Sequence, residues 1–178
     1  KKYAITSLTV VADAAMLSEA NIAALEQARL SYIVGARLGY LSRAQVDMIA
    51  TTLQERDQAT IRTPYAGHTL VCDFSSSRYT KDKRDTETYV AKAQAILDGK
   101  TAMKRHRFLS GTTGTYTLNQ PLIDRTKRLW GIKGYVTNVD IPDAQIIAAY
   151  RNLWRVEQSF RMAKSDLLTR PVYHPKEK

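Results

Sequence analysis

A strand, a helix and a second strand follow one another within the first 36 residues, and this order restricts the fold more than any other feature. Residues 7–12 form an apolar run that predicts a buried strand, and residues 31–36 form another. Between them Ser18 is a suitable N-cap for a helix that runs to about Gln27. Two strands joined by a helix in so short a stretch are expected to be parallel neighbours. The chain is therefore expected to have an α/β fold.

The remainder of the chain predicts a mixed segment followed by a long helix. Helices are predicted at 43–55 and 86–97, and strands at 68–74, within 107–118 on either side of a Gly-Thr-Thr-Gly turn (111–114), and at 132–137. Pro142 is suited to open the last helix, which is expected to end near residue 167. Ser75-Ser76-Ser77 predicts a loop. The simplest organisation is one α/β domain, residues 1–38 and 140–178, interrupted by an insertion at 39–139.

The last predicted helix carries two stripes of side chains. The first falls within an arc of roughly 80° at 100° per residue and holds Tyr150, Trp154, Glu157, Arg161 and Lys164. The second is apolar, is centred about 100° away and predicts the core face; it holds Ala149, Leu153, Val156, Phe160, Ala163 and Leu167. A solvated helix with a Glu157–Arg161 ion pair explains only two members of the first stripe. A nucleic-acid-binding function explains all five: the carboxylate would bind a metal, the cations would bind phosphates, and the aromatic rings would pack against sugars or bases.

Asp13 follows the first predicted strand directly, at the end of the sheet where α/β proteins bind ligands. An aspartate in this position can equally cap a helix or a turn. With Glu157 it would provide two carboxylates, and Mg²⁺ accepts such ligands together with water and substrate phosphates. A pair of this kind is suited to phosphoryl transfer with a metal-activated water.

The charge of the chain favours a polyanionic partner. The formal net charge is +10, and residues 100–133 contain eight basic side chains against the single acid Asp124. A basic surface that is merely solvated is the alternative.

Other kinds of site and location find no support in the sequence. The single cysteine, Cys72, lies in an apolar run, predicts a core residue and suits a reducing cytoplasm. No apolar run approaches the roughly 18 residues of a membrane span. The three histidines are scattered, so a structural zinc site is not expected, and no phosphate-binding glycine loop is present.

The last helix resembles the Tyr-Arg-Glu-Lys signature of bacterial insertion-sequence transposases with a DDE core. In Tyr150-Arg-Asn-Leu-Trp-Arg-Val-Glu157-Gln-Ser-Phe-Arg-Met-Ala-Lys164, the Tyr, Glu and Lys match in type and spacing, whereas Leu153 stands where the signature has Arg. Val10-Val11-Ala12-Asp13 resembles the strand that bears the second catalytic aspartate. Stretches 32–37, 131–138 and 170–174 also resemble one subgroup of these transposases, so the resemblance covers nearly the whole chain.

The resemblance implies an RNase H-like catalytic core, here incomplete, with a mixed, β-containing insertion between Asp13 and Glu157, which lie 144 positions apart. It implies DNA transposition through metal-dependent phosphodiester cleavage and strand transfer at insertion-sequence ends. Asp13 and Glu157 are then the catalytic ligands of Mg²⁺ (or Mn²⁺). Expected contacts to transposon-end DNA are Tyr150, Trp154, Arg155, Arg161, Lys164 and Trp130, although either tryptophan can equally be structural.

The family's first catalytic aspartate is absent, because residues 1–12 contain neither Asp nor Glu. The chain is therefore expected to be an internal fragment, inactive by itself, of a longer transposase that could act as a homodimer on transposon-end and target DNA. The protein is expected in the bacterial cytoplasm, where it would associate with the nucleoid and not with a membrane. One alternative is a non-catalytic, nucleic-acid-binding remnant of a transposase, which Leu153 and the missing aspartate favour. A phosphatase-like enzyme with an Asp13 nucleophile would need an acid at position 15, where Ala15 stands.

Overall fold

The computed structural model describes residues 8–16, 18–102, 104–112 and 115–166. The strands are β1 (Thr9–Ala12), β2 (Ser31–Gly35), β3 (Thr60–Tyr65), β4 (His68–Phe74), β5 (Leu109–Thr112), β6 (Thr115–Leu118) and β7 (Ile132–Thr137). The α-helices are α1 (Glu19–Gln27), α2 (Arg43–Leu53), α3 (Ser76–Leu97), α4 (Gln120–Arg128) and α5 (Asp143–Asp166). None of the helices described is long and apolar enough to cross a membrane.

The first two strands and the helix between them form the predicted unit. Ser18 caps α1 by accepting a hydrogen bond from the backbone N–H of Asn21, and β1 and β2 pair in parallel. The prediction of an α/β fold with a parallel strand pair is therefore confirmed. The sheet as a whole is mixed, because β7, β4 and β3 follow β2 in antiparallel pairing, in the order β1-β2-β7-β4-β3.

Each face of the five-stranded sheet is covered by helices. One face carries a large apolar core under α1 and α2, which includes Tyr32, Ile49 and Cys72. The burial of Cys72 confirms that it is a core residue. The other face carries a smaller core under α5, formed with Ile33, Val71 and Tyr135. A third cluster joins α3, α4 and the β5–β6 hairpin.

The segment predicted as an insertion, residues 39–139, contributes strands to the five-stranded sheet and also forms a separate two-stranded sheet. It supplies β3, β4 and β7, which continue the sheet from β2, as well as the two-stranded β5–β6 hairpin. The division into a core at 1–38 and 140–178 and an insertion at 39–139 stays a prediction about family organisation. Within the described part of the chain, however, both parts share one hydrogen-bonded sheet.

Three elements differ from the sequence-based predictions. Strand β3 and helix α4 were not predicted, and α3 begins at Ser76, ten residues before the predicted start at Thr86. The prediction of a loop at Ser75-Ser76-Ser77 was consequently wrong for two of the three residues. Ser75 has extended backbone angles at the N-cap position, and the next two serines form the first turn of α3, where Asp57 accepts a hydrogen bond from the N–H of Ser76 at 2.8 Å.

Candidate functional site

Asp13 is an exposed residue directly after β1, as the sequence predicted. Its Oδ1 accepts a hydrogen bond from the backbone N–H of Ala15 at 2.8 Å, which stabilises the short turn that follows the strand. Arg37, beyond the end of β2, braces the same turn because its Nε donates to the carbonyl of Ala14 at 2.9 Å. Asp13 therefore has a turn-forming role, while its other carboxylate oxygen, Oδ2, makes no hydrogen bond within the described residues.

Helix α5 is attached at its first turn to the far edge of the sheet. Asp143 accepts hydrogen bonds from the hydroxyl of Thr60, at 2.8 Å, and from Nε of Arg62, both in β3. The same guanidinium also contacts Asp140, at 3.3 Å, and the carbonyl of Ile141. Arg62 of β3 therefore holds both the residues that precede α5 and the first turn of the helix against the edge of the sheet.

The middle of α5 is attached to the sheet through a buried carboxylate. Asp73 in β4 is 2% exposed and accepts a hydrogen bond from the hydroxyl of Tyr135 in β7 at 2.9 Å. Its other oxygen, Oδ2, lies 3.5 Å from Nη2 of Arg151 in α5. Burial and the negative charge of Asp73 raise the pKa of Tyr135 well above its usual range, so the phenol remains a proton donor. The three residues fix the position of the helix over β4 and β7.

Tyr150 packs onto the sheet one residue before Arg151. Its ring lies 5.0 Å from that of Tyr135 and 4.1 Å from Nζ of Lys133, centroid distances that allow aromatic and cation–π attraction. The sequence analysis placed Tyr150 beside the core face, and this was wrong. Tyr150 belongs to the core under α5 together with Ile146, Ile147 and Ala149.

Gly35 lies between α5 and the Asp13 turn and is close to both. A Cβ on Gly35 would lie 2.6 Å from the hydroxyl oxygen of Tyr150 and 3.1 Å from the backbone nitrogen of Ala14. The missing side chain therefore leaves the space in which the tip of Tyr150 sits. Because Ala14 follows Asp13 directly, this contact puts the sheet-facing side of α5 next to the predicted catalytic aspartate.

The course of α5 follows from these attachments. The helix crosses from β3 at Asp143, over β4 and β7, to β2 at Tyr150. Glu157 lies seven residues further on, about 10 Å along the axis and within about 20° of the same face. Its backbone is helical, but its side chain lies outside the described part, as do those of Trp154, Arg161 and Lys164. Among the residues described there is no group of three or more side chains suited to hold a metal ion.

A groove runs along the flank of α5, between this helix and the first turns of α3. Its basic side chains are Arg78, Lys81, Arg151 and Arg155, and its carboxylates are Asp57, Asp73, Asp82 and Asp143. The carboxylates accept hydrogen bonds from the protein itself, including one from Gly131 N–H to Asp82 at 3.1 Å. Nε of Arg78 is buried without a hydrogen-bond partner in the described part of the chain. Arg155, a predicted DNA contact, therefore lies in a groove that already contains other cations.

Trp130 is separated from α5 by the sheet. It follows α4, donates from Nε1 to the hydroxyl of Thr86 at 3.0 Å, and packs edge-on against Tyr79. Tyr79 in turn packs on the core that α1 and α2 cover. These contacts give Trp130 a structural role, and its assignment as a DNA contact stays a prediction.

The residues that hold α5 in place were missed by the sequence analysis, which discussed none of Arg62, Asp73 and Tyr135 individually. A buried aspartate in an apolar strand such as Leu-Val-Cys-Asp73-Phe was the available signal, because a buried charge requires partners. Gly35 did lie in a stretch that resembled the transposase subgroup, but its contact with Tyr150 could not be inferred from spacing.

Comparison with known proteins identifies the family. Residues 2–172 match the family model of the transposase DDE domain. No curated protein and no solved structure matches the chain. The match includes the Asp13 strand and all of α5, and the mixed sheet with its flanking helices is consistent with the RNase H-like fold of this family. The chain therefore belongs to the family of transposase DDE domains.

Proposed function

We propose that this chain is the part of an insertion-sequence transposase that contributes two carboxylates, Asp13 and Glu157, to phosphodiester cleavage and strand transfer at element ends. The observation that carries the proposal is the contact at Gly35, which puts the sheet-facing side of α5 against the turn after Asp13. Glu157 continues the Tyr150 face of the same helix two turns further on. We also propose that this transposase belongs to the subgroup with the Tyr-Arg-Glu-Lys signature.

The donor chemistry fits a magnesium or manganese ion. Asp13 and Glu157 are hard oxygen ligands, and Asp13 is exposed at the carboxyl end of its strand with Oδ2 available among the described residues. The bound metal would activate the attacking oxygen and stabilise the leaving one. The protein's own contribution is to fix the two carboxylates on rigid elements: Arg37 holds the Asp13 turn, and Asp73 with Arg62 holds α5.

Transposon-end DNA is proposed to lie along α5. Lys164, Arg161 and Arg155 would contact phosphates, and Trp154 would pack against sugars or bases. Tyr150 is half-buried over the sheet with its hydroxyl at Gly35, so its proposed contact with DNA is limited to the part of the ring that stays exposed. Trp130 is the remaining proposed contact. We also propose that the longer protein binds target DNA, acts as a homodimer and is associated with the nucleoid.

A non-catalytic remnant that only binds nucleic acid is the second candidate. Leu153 favours it, because the signature has an arginine at this position. Arg151 does not replace that arginine freely, since its guanidinium already lies beside Asp73. Both candidates predict DNA binding by α5, whereas only the first predicts that Asp13 and Glu157 together bind a divalent ion.

Two measurements test the proposal. Lys164→Ala should weaken binding of the chain to a duplex with the element's terminal sequence and reduce the salt slope by about one, whereas Lys83→Ala, which removes a lysine from α3, should leave the slope unchanged. Mn²⁺ titration followed by electron paramagnetic resonance should show weak binding that Asp13→Asn and Glu157→Gln each reduce. An unchanged Lys164→Ala slope would refute the DNA contact, and identical Mn²⁺ binding by all variants would favour the remnant.

A further inference from the structure

A second cationic and aromatic surface lies in the segment 39–139. It is formed by Tyr89 and Lys92 of α3 and by the residues that lead into β5, namely Arg105, His106 and Arg107, and is called here the Tyr89 surface. Tyr89 lies eleven residues after Arg78, about 16 Å along α3. The surface is therefore distinct from the groove beside α5.

The Tyr89 surface is connected by a chain of ring and cation contacts. The rings of Tyr89 and His106 are 6.3 Å apart, and that of His106 is 6.2 Å from buried Phe108. Lys92 Nζ lies 5.7 Å from the Tyr89 ring, and the Arg107 guanidinium lies 5.2 Å from that of Phe108. Phe108 thus anchors an exposed row of groups to the core below.

The charges of the Tyr89 surface are available for a ligand. Lys92, Arg105 and Arg107 are exposed, and none of them forms an ion pair with a residue that the structure describes. Two acids nearby in sequence have their own partners: Asp85 lies 3.7 Å from Arg84, and Asp98 lies 3.1 Å from Lys100. Tyr89 is 53% exposed, so about half of its surface is accessible to a ligand.

We infer that the Tyr89 surface binds the sugar–phosphate backbone of duplex DNA without reading its sequence, as a second contact in addition to α5. Lysine and arginine neutralise phosphates, and an exposed ring held between a cation and an imidazole can pack on deoxyribose. On α3, Glu87 lies two residues before Tyr89 and therefore about 160° around the helix from it, while Asp85 pairs with Arg84. The exposed cations Lys92, Arg105 and Arg107 therefore outnumber the acids on this side. The inference rests on the proposed function, because DNA is taken as the partner.

The test uses fluorescence anisotropy of the 178-residue chain with a labelled duplex of unrelated sequence, over a range of salt concentrations. The triple variant Lys92→Ala, Arg105→Ala, Arg107→Ala should reduce the salt slope by about 2.7, at about 0.9 per phosphate contact. The matched control removes three exposed basic residues elsewhere, by Arg29→Ala, Arg56→Ala and Lys83→Ala, and should change the slope by less than one. Tyr89→Ala should weaken binding several-fold and Tyr89→Phe should not. Circular dichroism melts establish that each variant is folded.

The possible outcomes distinguish failure of the Tyr89 surface from failure of the proposed function. Equal losses in the two triple variants would show that only net charge matters and would overturn the inference. A normal slope in the surface variant, with a reduced slope in Lys164→Ala, would overturn the inference and leave the α5 contact standing. A reduced slope in the surface variant alone would support the inference and count against the α5 contact. Absence of any DNA binding by the chain would overturn both.

Discussion

Replacing Gly35 by alanine is the sharpest test of how α5 is seated against the Asp13 turn. The added Cβ would lie 2.6 Å from Oη and 3.1 Å from Cζ of Tyr150, and 3.1 Å from the backbone nitrogen of Ala14. Real Cβ atoms essentially never approach another atom as closely as 2.6 Å, so the tip of Tyr150 must move. Since this ring also packs on Tyr135, the movement disturbs the contact between α5 and β7.

Two effects of opposite sign determine the stability change. Alanine restricts the unfolded chain and stabilises the native state by about 0.4–1 kcal/mol where its conformation is allowed. Overpacking a filled site costs about 1–3 kcal/mol. The clash is the larger effect, so the free energy of unfolding is expected to fall by about 0.5–2 kcal/mol.

A double-mutant cycle with Tyr150→Phe isolates the clash. Phenylalanine removes Oη, after which the closest distances to the new Cβ are the two of 3.1 Å, which small shifts can accommodate. Urea denaturation of all four proteins should therefore show that Gly35→Ala costs about 1 kcal/mol less when combined with Tyr150→Phe than in the wild type. Equal costs in both backgrounds, or a stabilised single variant, would refute the proposed contact between Tyr150 and Gly35.

The other expected outcomes concern the buried carboxylate, the thiol and catalysis. Tyr135→Phe removes the hydroxyl that donates to Asp73 and should lower the free energy of unfolding by about 1.5–3 kcal/mol in urea titrations. The pKa of Tyr135 is higher in the folded than in the unfolded state, so its contribution to the free energy of unfolding is complete below the unfolded pKa near 10 and is lost as the pH rises further. Above pH 10 the wild type should therefore lose stability more steeply than the Tyr135→Phe variant, by about 1.4 kcal/mol per pH unit. Burial and the neighbouring charge of Asp73 raise the pKa of Cys72 to about 12, so a thiol reagent at pH 8 should label it only after unfolding; rapid labelling of the native chain would contradict its burial. The isolated chain should not nick element-end DNA with Mg²⁺ or Mn²⁺, and cleavage that disappears in Glu157→Ala would show that two carboxylates suffice.

Strands and helices with a clear apolar pattern could be predicted, because the spacing of their apolar residues reflects which side chains are buried. Strands β4 and β7 coincide with the predicted ranges, and α5 begins one residue after Pro142. Strand β3 was not predicted because Thr-Ile-Arg-Thr-Pro-Tyr contains a proline, which counts against a strand even though apolar and polar residues alternate in it. Such a sequence is tolerated at the edge of a sheet, and β3 is an edge strand.

Helix α4 and the first half of α3 were not predicted, for a related reason. Helix α4 spans only nine residues and is largely polar and basic, with Ile123 as its only buried residue, so it has too few apolar residues to predict a helix from their spacing. The first half of α3 is similarly polar, and it is stabilised by contacts that pattern reasoning does not see, such as the hydrogen bond from Gly131 N–H to Asp82. In both helices tertiary contacts determine the structure more than the local sequence does.

The assignment of Asp13 and Glu157 as metal ligands stays a prediction made from local sequence features. Asp13 and Glu157 could be identified because a strand end and a helical stripe are local features. The Asp73–Tyr135–Arg151 attachment could not, since it joins residues up to 78 positions apart on two antiparallel strands and a helix. The same holds for Tyr150, whose place on the sheet depends on the absence of a side chain at Gly35.

The continuous sheet has a consequence for attempts to minimise the domain. An engineer who deleted residues 39–139 as a dispensable module would remove β3, β4 and β7, and with them Arg62, Asp73 and Tyr135. The sheet would be reduced to the parallel strands β1 and β2, flanked by α1 and α5, and two strands with so small a core are not expected to be stable in water. Ile146 and Ile147 would lose the apolar surface of Val71 and Tyr135, and the uncovered edge of β2 could pair with another molecule. Such a truncated protein is expected to aggregate rather than to yield a smaller nuclease.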